Sequence, residues 1–342
     1  MRALQLIKFG ASGNYQFGVV PDPIAGAEEI LVKVKACGIN HLDLWLEAGE
    51  LPINIGLPRI PGGEISGEIV QAATSGSDWK VGDRVAVQSN LFCGKCEFCL
   101  RGDESLCLNG LLLGVQRDGG LAELVSIPVS ALVRLPDNVS FEASAAMTLA
   151  GSTAMHMLTN RARIRSADWV LVIGGASGVG AYAVQIAKQL GASVIATASS
   201  EEKSRLAREL GADHVVDSRV ESWPGEVRKI TQKRGVDFVV EHVGGKVFEQ
   251  AIHCLARGGT VVTCGATAGK KVNLDLWPFF VKQQRIIGSY GRNRSDMELI
   301  LAWASAGKVK PVIDSVFSLS EAEKGLEKLR ERKVLGKVIV TV

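Results

Sequence analysis

Trp169-Val-Leu-Val-Ile-Gly-Gly-Ala-Ser-Gly-Val-Gly180 decides the fold of this chain. Its five leading residues form a short continuous apolar run, as a strand buried on both faces requires. A glycine-rich turn breaks the run, and an apolar-faced helix over 179–190 follows. Val194-Ile-Ala-Thr predicts the next strand, 202–210 a helix and His214-Val-Val a third strand. Asp237-Phe-Val-Val and Gly259-Thr-Val-Val-Thr predict two more. Alternating strands and helices pack as a parallel sheet covered on both faces, so the class is α/β and residues 151–288 form a doubly wound domain.

The turn carries chemistry as well as topology. Glycines let the backbone bend tightly and approach a pyrophosphate, whose charge sits at the following helix N-terminus. Such turns also occur as plain tight turns. The flanking strand and helix, with a second strand about fifteen residues on, assign Gly175, Ser177, Gly178, Val179 and Gly180 to a dinucleotide. The spacing departs from strict G-x-G-x-x-G, with Ser177 in place of a glycine. An NAD site usually carries an acid at the end of the second strand, about twenty residues on. Here Ala198, Ser199 and Ser200 stand there, followed by Lys203 and Arg205. An acid would repel a 2′-phosphate, whereas hydroxyls and a lysine accept one. Glu201 and Glu202 weaken the case, but the expected cofactor is NADP(H).

Upstream, residues 1–150 read as short β-like runs between Gly and Pro, such as Ile30-Leu-Val-Lys-Val-Lys-Ala and Arg84-Val-Ala-Val. In the tail, 289–342, an amphipathic helix over 321–330 precedes the strand Lys337-Val-Ile-Val-Thr, which returns to the first domain. Four of the seven cysteines fall in the lobe 91–108: Cys93, Cys96, Cys99 and Cys107, with gaps of two, two and seven. Zinc takes four thiolates in a tetrahedron, and close pairs deliver them without long loop closure. Two other readings compete. Disulfides lack a secretory signal to support them, and the bacterial ferredoxin run places its fourth cysteine after three residues and before a proline.

The 342 residues fit two domains, and the net charge of +3 shows no basic stripe for nucleic acid. No run of about eighteen uncharged apolar residues offers a membrane span. Met1-Arg-Ala-Leu-Gln-Leu-Ile-Lys-Phe reads as a first strand, so the expected setting is cytoplasmic.

The cysteine lobe ahead of a dinucleotide domain resembles the medium-chain dehydrogenase/reductase superfamily along essentially the whole chain. The resemblance implies a GroES-like catalytic domain built from both chain ends, with a Rossmann domain inserted. It implies Thr153 beside the nicotinamide, with Val243, Cys264, Gly265 and Ala266 lining that end and Lys337 near the pyrophosphate. It implies a dimer through the edge strand at about 260–287, or a tetramer. Zinc alcohol dehydrogenases of the superfamily hold a second, catalytic zinc through residues that correspond here to Asn40, Gly63 and Leu149. All three ligands are missing, and Leu42 stands where their proton-relay hydroxyl would be. The Asn40-x-x-Asp43 pair resembles the zinc-free quinone reductase branch instead.

Catalytic zinc stabilises developing charge by several kcal/mol. Without it a substrate needs its own electron sink, as quinones and α,β-unsaturated carbonyls have. The expected activity is NADPH-dependent reduction of a small quinone, enone or ketone, with one structural zinc. Asn40 offers a hydrogen bond to a developing oxyanion and His41 a proton relay, while Asp43 and Glu64 serve as supporting groups. Trp45 makes the pocket more apolar. Two other readings remain: a metal-free alcohol or ketone oxidoreductase of narrow aromatic range, and an NADPH-binding sensor with little turnover.

Overall fold

Along Glu29–Ile39, Ile30, Val32 and Val34 are buried and the residues between them are more exposed, the period-two pattern of a strand with one face on a core. That strand is central to one of two units in the computed structural model, which describes residues 1–75 and 77–342. One unit comprises Met1–Ser152 and Arg292–Val342, the other Thr153–Gly291.

The first unit is built on a seven-stranded sheet. Its order runs Ile313–Ser318, Lys337–Thr341, Glu29–Ile39, Glu64–Gln71, Arg84–Val87, Leu132–Arg134, with Leu124–Pro128 also paired to Glu29–Ile39. The core under it gathers Ile30, Val32, Ile65, Val85, Leu121, Ile127 and Val340. Each such burial is worth about 1.5–3 kcal/mol relative to exposure. Register matters most for the site. Val338 pairs with Ile39, and Gly38 pairs with Glu64. The ends of three strands therefore bring Lys337, Asn40 and Glu64 side by side. Gly38 is required there, because a Cβ would lie 2.2 Å from the Ala145 carbonyl oxygen and 2.7 Å from the Glu64 carboxylate.

The second unit is a six-stranded, all-parallel sheet. Its order is His214–Asp217, Ser193–Ala198, Trp169–Val172, Val236–Glu241, Leu255–Thr263, Arg285–Gly288. Leu171, Ile195, Val239 and Val261 pack with Phe248 and Trp223 of the crossover helices. This is the doubly wound arrangement expected from the alternating pattern. Among the described residues no helix is long and apolar enough to cross a membrane.

Candidate active site

In the first unit Glu64 is fully buried and Lys337 only 3% exposed, and the two form an ion pair at 2.8 Å. Two charges this deep are tolerable only when every lone pair and proton is answered. Here they are. The Lys337 ammonium also donates to the Ile39 carbonyl at 2.7 Å and to Asn40 Oδ1 at 2.5 Å. Glu64 Oε2 accepts from Asn40 Nδ2 at 3.0 Å, and Oε1 accepts the backbone N–H of Leu149 at 2.5 Å and of Ala150 at 3.0 Å.

This network revises two expectations. Asn40 Nδ2 spends its two protons on Glu64 and on the Gly38 carbonyl at 3.3 Å, so the amide has none left for an oxyanion. It positions its neighbours instead. Lys337 likewise commits its three ammonium protons inside the unit, to Glu64, Asn40 and Ile39. Asp43 opens the helix His41–Ala48, accepting from the N–H of Asn40 at 2.8 Å and of Gly62 at 3.1 Å. Burial pushes its carboxyl up to about 6 against the pull of those two N–H groups. His41 is half-buried, with its ring edge-on to Trp45 at 6.5 Å. Cys37 is buried, with its thiol pushed up mainly by desolvation, as a packing cysteine.

The four thiols of the lobe do converge. The sulfurs of Cys93, Cys96, Cys99 and Cys107 lie within 4.8 Å of one another, with Cys96–Cys99 at 3.5 Å and Cys93–Cys99 and Cys96–Cys107 at 4.0 Å. Four sulfurs about 2.3 Å from a tetrahedral zinc sit about 3.8 Å apart, so the set fits that ion. The N–H groups of Lys95 and Cys96 draw the Cys93 thiol down to about 6, toward the thiolate a metal needs. Among the described residues this is the group whose donor atoms gather on one point.

In the second unit the helix Gly178–Gln189 begins where the turn ends, capped by Ser177. Gly174 has φ +62°, and a Cβ on Gly180 would lie 2.1 Å from the Gly174 carbonyl oxygen. The turn is closed to side chains and ends at a helix N-terminus, as a turn that binds a dinucleotide's pyrophosphate requires. Ser177 does not project into that space. Its hydroxyl lies 2.7 Å from the Gly174 carbonyl, takes the Gly180 N–H at 3.2 Å and lies 3.3 Å from His242 Nε2. Val243, Cys264, Gly265 and Ala266 follow the next two strands. Buried Glu241 ties the first of these segments down, accepting from the N–H of Val243 and Gly244 at 2.6 and 2.7 Å. Thr153 is buried. At the end of Ser193–Ala198, Ser199 is exposed and Ser200 caps the helix Glu201–Glu209 by accepting the Lys203 N–H at 3.2 Å.

Residues 26–137 match the family described as alcohol dehydrogenase GroES-like domain, and residues 178–306 match zinc-binding dehydrogenase. An alcohol dehydrogenase of Geobacillus stearothermophilus is 35% identical over 91% of both chains. This chain is a medium-chain dehydrogenase/reductase. An acryloyl-coenzyme A reductase of Sulfurisphaera tokodaii is 30% identical over 97% of both chains. A solved NAD-dependent alcohol dehydrogenase covers both chains completely at TM-score 0.97 and 38% identity.

The protein is a nicotinamide-dependent oxidoreductase of this superfamily, and the local backbone at Gly63 and Leu149 is closely packed. A Cβ at Gly63 would come 2.8 Å from the Leu113 carbonyl oxygen and 3.2 Å from Ser89 Cβ, so the backbone leaves no room for a histidine. Leu149 contributes its N–H, not its side chain, to Glu64. Sequence reading missed the Glu64–Lys337 pair, since the partners lie 273 positions apart and only the sheet register joins them. It also missed His242, which a histidine directly after a parallel strand, in Glu-His-Val-Gly-Gly, could have flagged.

Proposed function

We propose that this medium-chain dehydrogenase/reductase is an NADPH-dependent reductase of conjugated carbonyls that works without a catalytic zinc. The carrying observation is that Lys337, Glu64 and Asn40 satisfy one another, beside the positions 40, 63 and 149 where the resemblance would put zinc ligands. NADPH, when bound, supplies the hydride. The chain then has to hold an acceptor whose incoming charge spreads over a conjugated system, and to return a proton. We assign the proton relay to His41, and Asn40, Asp43 and Glu64 hold the helix start that carries it. Quinones and enones fit this demand. So do α,β-unsaturated thioesters, a class favoured by the likeness to acryloyl-coenzyme A reductases.

The NADPH preference rests on Ala198, where an acid would stand, with Ser199, Ser200 and Lys203 beside it. Relatives named as NAD-dependent alcohol dehydrogenases weigh on the other side. Self-association through the edge strand Arg285–Gly288 is supported by exposed Ile286 and by Trp277 and Phe280, 70% and 54% exposed, on the adjacent helix. A cluster of reduced thiols suits a cytoplasmic setting. Turnover of both cofactors with a panel of quinones, enones, an enoyl thioester and simple ketones tests the reading. NADPH consumption with the conjugated acceptors supports it, and turnover of unconjugated ketones alone contradicts it.

A further inference from the structure

The order of the parallel sheet fixes where a dinucleotide crosses it. Trp169–Val172 lies between Ser193–Ala198 and Val236–Glu241, so the order reverses between the first and the last of these strands. The crevice of such a sheet opens beyond the carboxyl ends at that reversal. Two side chains meet there: Ser177, after the first strand, and His242, after the other. His242 Nε2 lies 3.3 Å from Ser177 Oγ, and its Cε1 lies 3.6 Å from where a Cβ on Gly174 would be. The imidazole therefore lies against the very turn that is closed to side chains. Ser177 replaces a glycine in the strict pattern, and its hydroxyl is turned back onto that turn with the histidine beside it.

The surroundings of the ring are mostly neutral. Glu241 precedes it, with its carboxylate spent on the N–H groups of Val243 and Gly244 and on the Thr263 hydroxyl at 2.9 Å. Cys264, on the neighbouring strand end, is pushed up to about 12 by burial and stays a neutral thiol. From the turn the ring meets Gly174 and Ser177, and from the end of the neighbouring strand Trp169–Val172 the Ile173 backbone, none of them titratable. Burial holds the histidine below its ordinary range, with Glu241 pulling the other way. The positive end of the helix Gly178–Gln189 also disfavours an imidazolium in the free protein. A pyrophosphate bound at the same end would cancel that field and reverse the preference.

We propose that His242 stands beside the pyrophosphate of the bound nicotinamide dinucleotide and takes up one proton from solvent as the cofactor binds. The proton adds to the free ring nitrogen pair, and no covalent bond to the cofactor forms. The inference rests on the dinucleotide reading of this unit. By linkage, affinity then strengthens as pH falls between the bound and free pKa, by up to about tenfold per pH unit.

Calorimetric titration of the intact protein with NADH, in two buffers of different ionisation heat between pH 6 and 7.5, counts the protons. NADH is the better probe because it lacks the 2′-phosphate, which titrates in this range; NADPH serves as the second ligand, read as a difference between proteins. Uptake of up to one proton is expected for the wild type. His242→Gln should abolish that uptake for NADH and lower it by the same amount for NADPH. Ser177→Gly, which keeps the imidazole, should retain it. Binding by the wild type without proton uptake, or equal uptake in His242→Gln, overturns the assignment. Failure of the folded wild type to bind either cofactor overturns the dinucleotide reading and the inference with it.

Discussion

Two clusters in the first unit, the thiol lobe and the Asn40–Glu64–Lys337 network, are built on opposite principles. The lobe brings four thiols together from fifteen residues of chain, all half-exposed, with sulfurs 3.5–4.0 Å apart in their closest pairs. Little apolar packing holds them, since Leu100, Leu106 and Leu108 of the same lobe are exposed. The other cluster draws Asn40, Glu64 and Lys337 together from the ends of three paired strands, with Glu64 and Lys337 almost completely buried and Asn40 half-buried. There the sheet supplies the organisation, and a lysine–carboxylate pair is the charged centre. The difference teaches that a local cluster depends on its ion, while a cluster assembled by register depends on its complete set of partners.

The sharpest way to break the comparison is to remove one thiolate. Cys96→Ser should cut zinc content from one per chain and open the lobe to proteolysis within 93–107. Structural zinc in small thiolate sites binds with about 10–16 kcal/mol, so the effect should be the largest of any single change. Elemental analysis and limited digestion read it. Next in size is Lys337→Met, which leaves Glu64 buried and unpaired. Breaking one side of a buried pair costs about 3–5 kcal/mol. The double variant Lys337→Met/Glu64→Gln should recover much of the loss in a denaturant titration. Equal losses in the single and double variants would remove the pair from its central role.

Asp43 gives a smaller and pH-dependent effect. Its folded pKa of about 6 stands above the ordinary 3.8. A raised carboxyl pKa means that stability is fully present below about pH 4 and is lost as pH rises through about 6. The gap is worth about 3 kcal/mol. Asp43→Asn should flatten that part of the profile, so the wild-type minus variant difference in melting temperature should be largest near pH 4 and fall toward pH 6.5.

What the sequence disclosed follows the same division. The strand, turn and helix from Trp169 to the end of the first crossover helix were legible because hydrophobic period and glycine spacing are local signals. So were the four cysteines. The roles of Asn40 and Lys337 were not, because a side chain's use depends on what its proton donors meet. Only the pairing of Lys337–Thr341 with Glu29–Ile39, and of that strand with Glu64–Gln71, shows that both residues face Glu64. His242 was hidden for the same reason: it meets Ser177 across the sheet reversal, 65 positions away.

The smallest expected change concerns the cofactor. A hydrogen bond to a charged group is worth about 1.5–3 kcal/mol, so Lys203→Ala should weaken NADPH binding by about tenfold to a hundredfold and leave NADH nearly unchanged. Equal losses for both cofactors would falsify the 2′-phosphate assignment, and Ala198→Asp should reverse the preference.

The central claim is that hydride transfer proceeds at a site organised by a lysine–carboxylate pair, with zinc confined to the thiol lobe. Its most direct test is the zinc count of freshly purified protein, taken together with its rate of NADPH-dependent reduction of a conjugated carbonyl. The account predicts one zinc per chain and a rate that added zinc does not raise. A count near two, with activity lost on removing the second ion and restored on returning it while the fold is unchanged, would contradict it.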